Sequence, residues 1–352
     1  MKIDVVLGLS YGDEGKGKIC HSLLEKKKYT HVIRFNGGAN AGHTIYHNGK
    51  KLITHLIPSG VFYGIKSIIG PGCVVDTYKF FKELEYLEEN GINTKGLVFI
   101  AKNAHLVQEI HTDEDSTETD IGTTRTGNGP CYRDKYARNG IRAEQYDKLD
   151  PYLIDIFEEF YGSNNRNIKI LAEGAQAFHL DIDWGDYPYV TSSHCGIGSV
   201  LLNGFHHKHI RNVYGIVKAY DTYVGAKKFQ PKDKIFARIQ EEGQEFGATT
   251  GRKRQCNWLN WDNVVKAAKM NGVDHLIVNK VDILDKVDAW KVYCDGQVLD
   301  LGNQANFENW ICEASRNLKI NVHFSYNPYD ISLEPDCSGI KNNLAHLDRF
   351  LG

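Results

Sequence analysis

The feature that most constrains this chain is its first turn. Residues 8–18 read GLSYGDEGKGK, placing four glycines and two lysines directly behind a short apolar run. Closely spaced glycines let backbone N–H groups approach phosphate oxygens, and a following helix N-terminus adds a favourable dipole. Lys16 would supply a point charge. The pattern is not a strict Walker A, because Ser10 stands where its first glycine would be and Gly17 where a Ser or Thr would bind magnesium. A metal would need another ligand, and Asp13 is the obvious one. Taken alone, the turn reads equally well as a tight bend with solvated charges.

Beyond this turn the chain has the alternation of an α/β protein. Short β-rich runs occur at Ile3–Leu9, His31–Phe35, Ser67–Gly70, Leu97–Ala101, Ile168–Ala172, Val213–Ala219, His275–Val278 and Ile320–Ser325. Tyr78–Asn90 carries Phe80, Phe81, Leu84 and Leu87 at helical spacing and stops at Gly91. This predicts a mainly parallel central sheet flanked by helices, with ligand sites at the C-terminal strand ends. Residues 111–129 are polar and glycine-rich, and are expected to form a long functional loop. A formal charge of −2 gives no global field toward nucleic acid or a membrane, so neither is an expected partner. The N-terminus does not read as a secretory signal, and no stretch approaches the roughly 20 apolar residues of a membrane span. Eight scattered cysteines without a C-x-x-C pair suggest no disulfide framework or zinc site, and a reduced, cytoplasmic setting.

The turn also carries a resemblance. GDEGKGK after an N-terminal strand is similar to the signature of adenylosuccinate synthetases. Further segments resemble that family in the same order: NGGANAGHT (36–44), HLIPSG (55–60), IGTT with GNGPCYRDKYAR (121–138), and EGAQAFHLDIDWGDYPYVTSS (173–193). VKAYDTYVGA (217–226), EFGATTGRKRQCNWLN (245–260) and NKVDILD (279–285) come next. Many motifs in one order are far more specific than any one of them. The likeness runs to about Pro328 with shorter connections than bacterial members have. It implies a P-loop-like GTP-binding fold and one catalytic domain over residues 1–352, with 331–352 a tail of open role.

It also implies a reaction in which GTP phosphorylates O6 of IMP and the amino group of L-aspartate then displaces that phosphate. A lactam oxygen is a poor nucleophile until a base removes the N1 proton, and Asp13 matches the family's base. Lys16, His43 and Mg²⁺ match the groups that meet charge on the transferring phosphoryl. Asp13 and the Gly42 carbonyl match the metal ligands. Gly12, Glu14, Gly15, Gly17 and Lys18 complete the GTP-phosphate turn; Gly42, Thr44 and Arg254 are expected at the same nucleotide. After the run at 275–278 come Asn279, Lys280 and Asp282. A carboxylate there can accept N1–H and N2–H of guanine, whereas adenine would leave it unpaired, which argues for GTP. Ser325 resembles the last guanine-contacting turn.

Asn40, Thr124, Gln176, Thr191, Val224 and Arg252 fall at positions that meet the purine nucleotide in the family. Hydroxyls of Thr124 and Thr191 suit its 5′-phosphate, and the Gln176 amide suits O6. Arg138 matches an arginine that reaches the neighbouring subunit's phosphate, implying a homodimer with shared sites. Ala248, Thr249, Thr250, Arg252 and Arg254 resemble the loop that closes on L-aspartate. Arg125, Thr126, Ala177, Tyr223, Gln255, Asn257, Asn260 and the pair His194 and Cys195 depart from the usual pattern.

Two further readings stand beside IMP ligation. Phage 2-aminoadenylosuccinate synthetases accept dGMP, which shares the N1–H and O6 that the chemistry reads. Many of them lose the acidic base and the guanine-reading Asp; this chain keeps Asp13 and Asp282, which favours the ordinary IMP enzyme or a GTP-using intermediate form, with IMP ahead. A non-ligating GTP switch would give no reason for Asp13, His43 and the Thr/Arg loop to occur together.

Overall fold

The computed structural model describes residues 1–47, 49–162, 167–247, 251–329 and 331. Its centre is a nine-stranded sheet, numbered here in chain order: β1 (Lys2–Gly8), β2 (His31–Arg34), β3 (Lys66–Ile69), β4 (Val98–Ala101), β5 (Leu153–Ile154), β6 (Lys169–Glu173), β7 (Ile210–Lys218), β8 (His275–Asn279) and β9 (Asn321–Phe324). The spatial order is β9-β8-β7-β1-β6-β2-β3-β4-β5, and every pairing is parallel. Buried on both faces, β1 carries Ile3, Val5, Val6 and Leu7 with almost no exposed surface, as a strand inside a parallel sheet must.

The chain first builds outward on one side of β1, returns to insert β6, and then builds β7 to β9 on the other side. Connections therefore leave β1 in opposite directions at the C-terminal edge, where such sheets open a crevice. All eight expected strands lie in this sheet, with ends shifted by up to three residues. The expected helix is α2 (Thr77–Glu89), capped by the Asp76 carboxylate accepting from Lys79 N at 3.0 Å.

A smaller four-stranded sheet, Tyr220–Tyr223, Gln255–Asn260, Lys291–Cys294 and Gln297–Asp300, stands beside this edge. The hairpin of His43–His47 and Lys50–Thr54 flanks it. Two expectations are corrected. Residues 111–116 are not loop but belong to the helix α3 (Glu109–Ser116), because the His111 side chain caps its start, Nδ1 accepting from Gln108 N at 3.0 Å. Cys20, Cys73, Cys131, Cys195, Cys256 and Cys294 are free and buried, but Cys312 is disulfide-bonded, contrary to the expectation of no disulfide.

Among the described residues no helix is long and apolar enough to cross a membrane. The tail 331–352 lies outside them apart from Ile331, which packs with the first helix through a Lys26 Nζ bond to its carbonyl at 2.6 Å.

Leu9 seats the first turn on the sheet. It is fully buried, donates its N–H to Ile216 O at 2.9 Å, and fills the space that a Cβ on Gly215 would occupy. Leu9→Ala is expected to cost about 2–5 kcal/mol in urea denaturation, the range for a buried leucine with its cavity. A loss below about 0.5 kcal/mol, the size of a surface effect, would contradict this seating role.

Candidate active site

The C-terminal strand ends open onto one cleft of about 900 Å³. Residues 12–18 form one wall. Gly15 caps α1 (Lys16–Lys26) at φ 91°, a conformation that favours glycine. Gly17 is a second requirement: a Cβ there would lie 3.2 Å from Thr44 O and 3.4 Å from His43 Cβ. The hairpin can therefore press against the helix start, which brings His43 and Thr44 to the cleft.

Glu14 is a strut within this turn. Its carboxylate accepts from Gly12 N at 2.8 Å and from Lys16 Nζ at 2.7 Å, and it is buried. Asn279 at the end of β8 donates to Glu14 O at 2.6 Å, tying the guanine-reading segment to the phosphate turn. Two of the turn's charges, Glu14 and Lys16, are therefore buried and paired with each other rather than solvated.

Behind His43 is a carboxylate that sequence reasoning missed. Glu173 ends β6, pairs in register with Arg34 and Val6, and has no exposed surface. Its Oε1 meets His43 Nδ1 and Arg34 NH1, the latter at 3.0 Å; its Oε2 accepts from Ser59 N at 3.0 Å and Ser59 Oγ at 2.6 Å. Although burial works to raise it, the surrounding His43, Arg34 and Ser59 hold its pKa at about 2. Burial first, and then Arg34, pull His43 down to about 4. The carboxylate fixes the ring through Nδ1 and leaves Nε2 for the cleft.

A second missed carboxylate is Glu245. It accepts from Lys218 Nζ at 2.8 Å, Tyr220 OH at 2.6 Å and Arg254 NH1 at 2.6 Å. Burial opposes its charge, but Lys218 and Arg254 hold its pKa at about 2. Arg254 Nε in turn donates to Asp13 Oδ2 at 2.7 Å. The expected base and an expected anion-binding arginine thus meet directly.

At the other end, Gln176 (φ 56°) donates Nε2 to Asn40 Oδ1 at 3.0 Å, and its own Oε1 has no partner. Glu118 gathers the N–H groups of Asp120 and Ile121 at 2.7 Å and Gly122 at 3.2 Å, shaping the loop before Thr124. Arg252 bonds Gly122 O at 3.0 Å and Thr123 O at 3.3 Å, joining this loop to the 245–260 segment. Tyr223, a departure from the family pattern, lines the cleft and packs edge-on against Tyr11 at 6.0 Å between ring centroids.

Of the expected residues, Gly12, Asp13, Glu14, Gly15, Lys16, Gly17, Lys18, Asn40, Gly42, His43 and Thr44 line this cleft. So do Thr124, Gln176, Thr191, Val224, Arg252, Arg254, Asn279, Lys280 and Asp282. Two do not. Ser325 is buried just past the end of β9, where its hydroxyl accepts from Lys18 Nζ, and the chain reaches the cleft only at Asn327 and Pro328. Arg138 caps the far end of α4 (Asn128–Ala137), about 15 Å along the helix from the cleft at 1.5 Å per residue. Ala248, Thr249 and Thr250 lie outside the described residues.

Comparison with known proteins decides the family. The adenylosuccinate synthetase family model matches residues 5–147 and 143–308. The chain belongs to the adenylosuccinate synthetase family. The adenylosuccinate synthetase of Thermodesulfovibrio yellowstonii is 39% identical over 342 residues, covering 83% of this chain and 80% of that one. The structure of the fully ligated adenylosuccinate synthetase from Plasmodium falciparum superposes with a TM-score of 0.82 at 29% identity, over 93% of this chain and 98% of that one. The cyanophage S-2L succinoaminodeoxyadenylate synthetase, bound to dGMP and to dATP as an energy donor, shares the fold with a TM-score of 0.75 at 19% identity, over 94% and 95% of the two chains. The chain is accordingly a carbon–nitrogen ligase of the adenylosuccinate synthetase type, with GTP and Mg²⁺ as the family's co-substrate and metal.

One buried acid makes a prediction outside the reaction. Asp221 accepts from Asn260 N at 3.0 Å, but its Oδ1 has no partner, and burial above all pushes its pKa up to about 7. An unfolded aspartate titrates at about 3.9. Between those values the folded chain keeps a proton that the unfolded chain has lost, so stability falls as pH rises from about 4 to about 7. Asp221→Asn should flatten that slope in a series of thermal melts; parallel curves for the two proteins would contradict the assignment.

Proposed function

We propose that this chain ligates L-aspartate to C6 of IMP, with GTP as phosphoryl donor, through the residues gathered at the cleft. Asp13 accepts the N1 proton of the purine, and electron density moves to O6. O6 forms a bond to the γ-phosphorus while the bond to the bridging oxygen breaks and GDP leaves. The aspartate amino nitrogen then bonds to C6, the C6–O6 bond breaks, and phosphate departs with the electron pair as the nitrogen loses a proton. Lys16 and His43 meet the charge on the transferring phosphoryl. Without a nucleotide His43 is held neutral by burial and Arg34; a polyphosphate anion at Nε2 would draw the second proton onto the ring, and Glu173 stabilises that cation.

Asp13 and the Gly42 carbonyl offer hard oxygen donors at the phosphate turn, the type Mg²⁺ selects. A Cβ on residue 17 would crowd Thr44 O at 3.2 Å, so glycine stands where a P-loop has its metal-binding Ser or Thr, and Asp13 and the Gly42 carbonyl are the donors that take its place. When bound, the ion would neutralise charge on the GTP phosphates.

The observation that carries the reading is the convergence of Asp13, Lys16, His43 and Arg254 on one cleft that also receives Asp282. Asn279, Lys280 and Asp282 read guanine, with Asn279 already held by Glu14 O. Gln176 reads O6, and Asn40, Thr124, Thr191 and Val224 hold the rest of the acceptor. Arg252 and Arg254, with Ala248, Thr249 and Thr250, take L-aspartate. Arg138, remote from its own cleft, serves the partner subunit of a homodimer. The exposed Ile110, Tyr136 and Ile141 around its helix suit such an interface. We place the enzyme in the cytoplasm as a single catalytic domain.

The test is product formation with GTP, Mg²⁺ and L-aspartate, offering IMP, GMP and dGMP separately. IMP should be turned over best. Turnover of dGMP without IMP would move the chain to the phage-type reaction, and phosphate release that needs neither acceptor nor aspartate would sink the ligase reading. Asp13→Ala should lower kcat by at least about a hundredfold, the usual scale of a lost general base, with GTP affinity within a few-fold of wild type. Unchanged turnover would remove Asp13 from the role of base.

A further inference from the structure

The cleft holds a side chain to which neither the sequence reading nor the proposed ligation gives a role. Asn128 is the first residue of α4, follows Gly127 in the left-handed cap (φ 74°), and lines the cleft while only 7% exposed. Neither its Nδ2 nor its Oδ1 has a hydrogen-bond partner. A buried carboxamide with both atoms unsatisfied costs free energy unless something else supplies the partners. In a ligand cleft, the ligand is the economical source.

Its surroundings say which part of the ligand. The amide lies against the backbone of Gly38, where a Cβ would sit 2.8 Å from Oδ1 and 2.9 Å from Nδ2. Gly38 N donates to Asn40 Oδ1 at 3.3 Å, and the same oxygen takes Gln176 Nε2 at 3.0 Å. On the other side, a Cβ on Gly129 would meet Ser192 Oγ at 3.3 Å, next to Thr191. Thr124 and Thr126 share a hydroxyl bond at 3.0 Å in the same wall. Asp115, an acid in the lining of the same cleft, has its Oδ2 engaged by Gly127 N at 2.8 Å. Amides and hydroxyls grouped at the positive end of a ten-residue helix form an anion site. No hydrogen bond holds the Asn128 amide in place, so rotation about Cβ–Cγ can turn its NH₂ toward an arriving anion.

We propose that Asn128 is a further ligand residue for the acceptor nucleotide, its Nδ2 donating to the 5′-phosphate beside Thr124 and Thr191. Oδ1 then accepts from water in the phosphate's hydration shell. The inference rests on the ligase reading and adds a residue to it.

Calorimetric titration of the full chain with IMP and with inosine, which lacks the phosphate, tests it without turnover. Asn128→Leu keeps the volume without polar atoms, and Asn128→Asp replaces the donor by a negative charge. Asn128→Ser stands in if either fails to fold by circular dichroism. Loss of a hydrogen bond to a charged group should weaken IMP binding about tenfold in the Leu variant and more in the Asp variant. Inosine and GTP affinities should stay within about twofold of wild type, a few tenths of a kcal/mol. Unchanged IMP affinity in Asn128→Leu would overturn the proposal, and so would equal losses for IMP and inosine. Wild-type protein that binds no purine monophosphate at all would sink the ligase reading and this inference together.

Discussion

The site hangs on one buried carboxylate. Glu173, at the end of a central strand, collects an arginine from the neighbouring strand, the histidine of the hairpin, and the backbone and hydroxyl of Ser59. Three points within residues 34–59 are thereby fixed to a strand 114 to 139 residues further along the chain, at the switch of the sheet. A buried ion pair of this kind adds little net stability over well-packed apolar residues, because desolvation offsets the Coulombic gain. Breaking it leaves uncompensated charge. Its value is positional: it keeps His43 at the cleft in one orientation.

Glu245 plays the matching part on the other side of β1. Through Arg254 it reaches Asp13, and through Lys218 it reaches the end of β7. The segment expected to receive aspartate is thus in direct contact with the expected base. On the proposed route Asp13 also serves metal and purine, and its Oδ2 is then shared with, or released by, Arg254. On that route the guanidinium links recognition of the amine donor to activation of the acceptor.

Much of this is legible in the sequence. Glycine spacing after an apolar run marks the phosphate turn, and the alternation of runs implies the parallel sheet, because both depend on local backbone demands. The order of motifs brings nearly all the expected site residues to one cleft. Burial is what the letters do not carry. Glu173 and Glu245 each open a recognised segment, yet a carboxylate in a string of letters bears no sign of which cations will fold onto it. Glu14 reads as part of a solvated turn for the same reason. Asn128 cannot be separated from its glycine neighbours until its empty hydrogen-bond valences are visible. Residues 111–116 mislead through composition: a polar run can still be helical when a side-chain cap starts it, as His111 does.

On the proposed route, O6 of the purine is phosphorylated and then leaves as phosphate. Turnover of IMP carrying ¹⁸O at position 6, with GTP and L-aspartate, tests this directly by mass analysis of the released phosphate. One labelled oxygen should appear in the phosphate for each ligation. Unlabelled phosphate alongside ligated product would contradict that route.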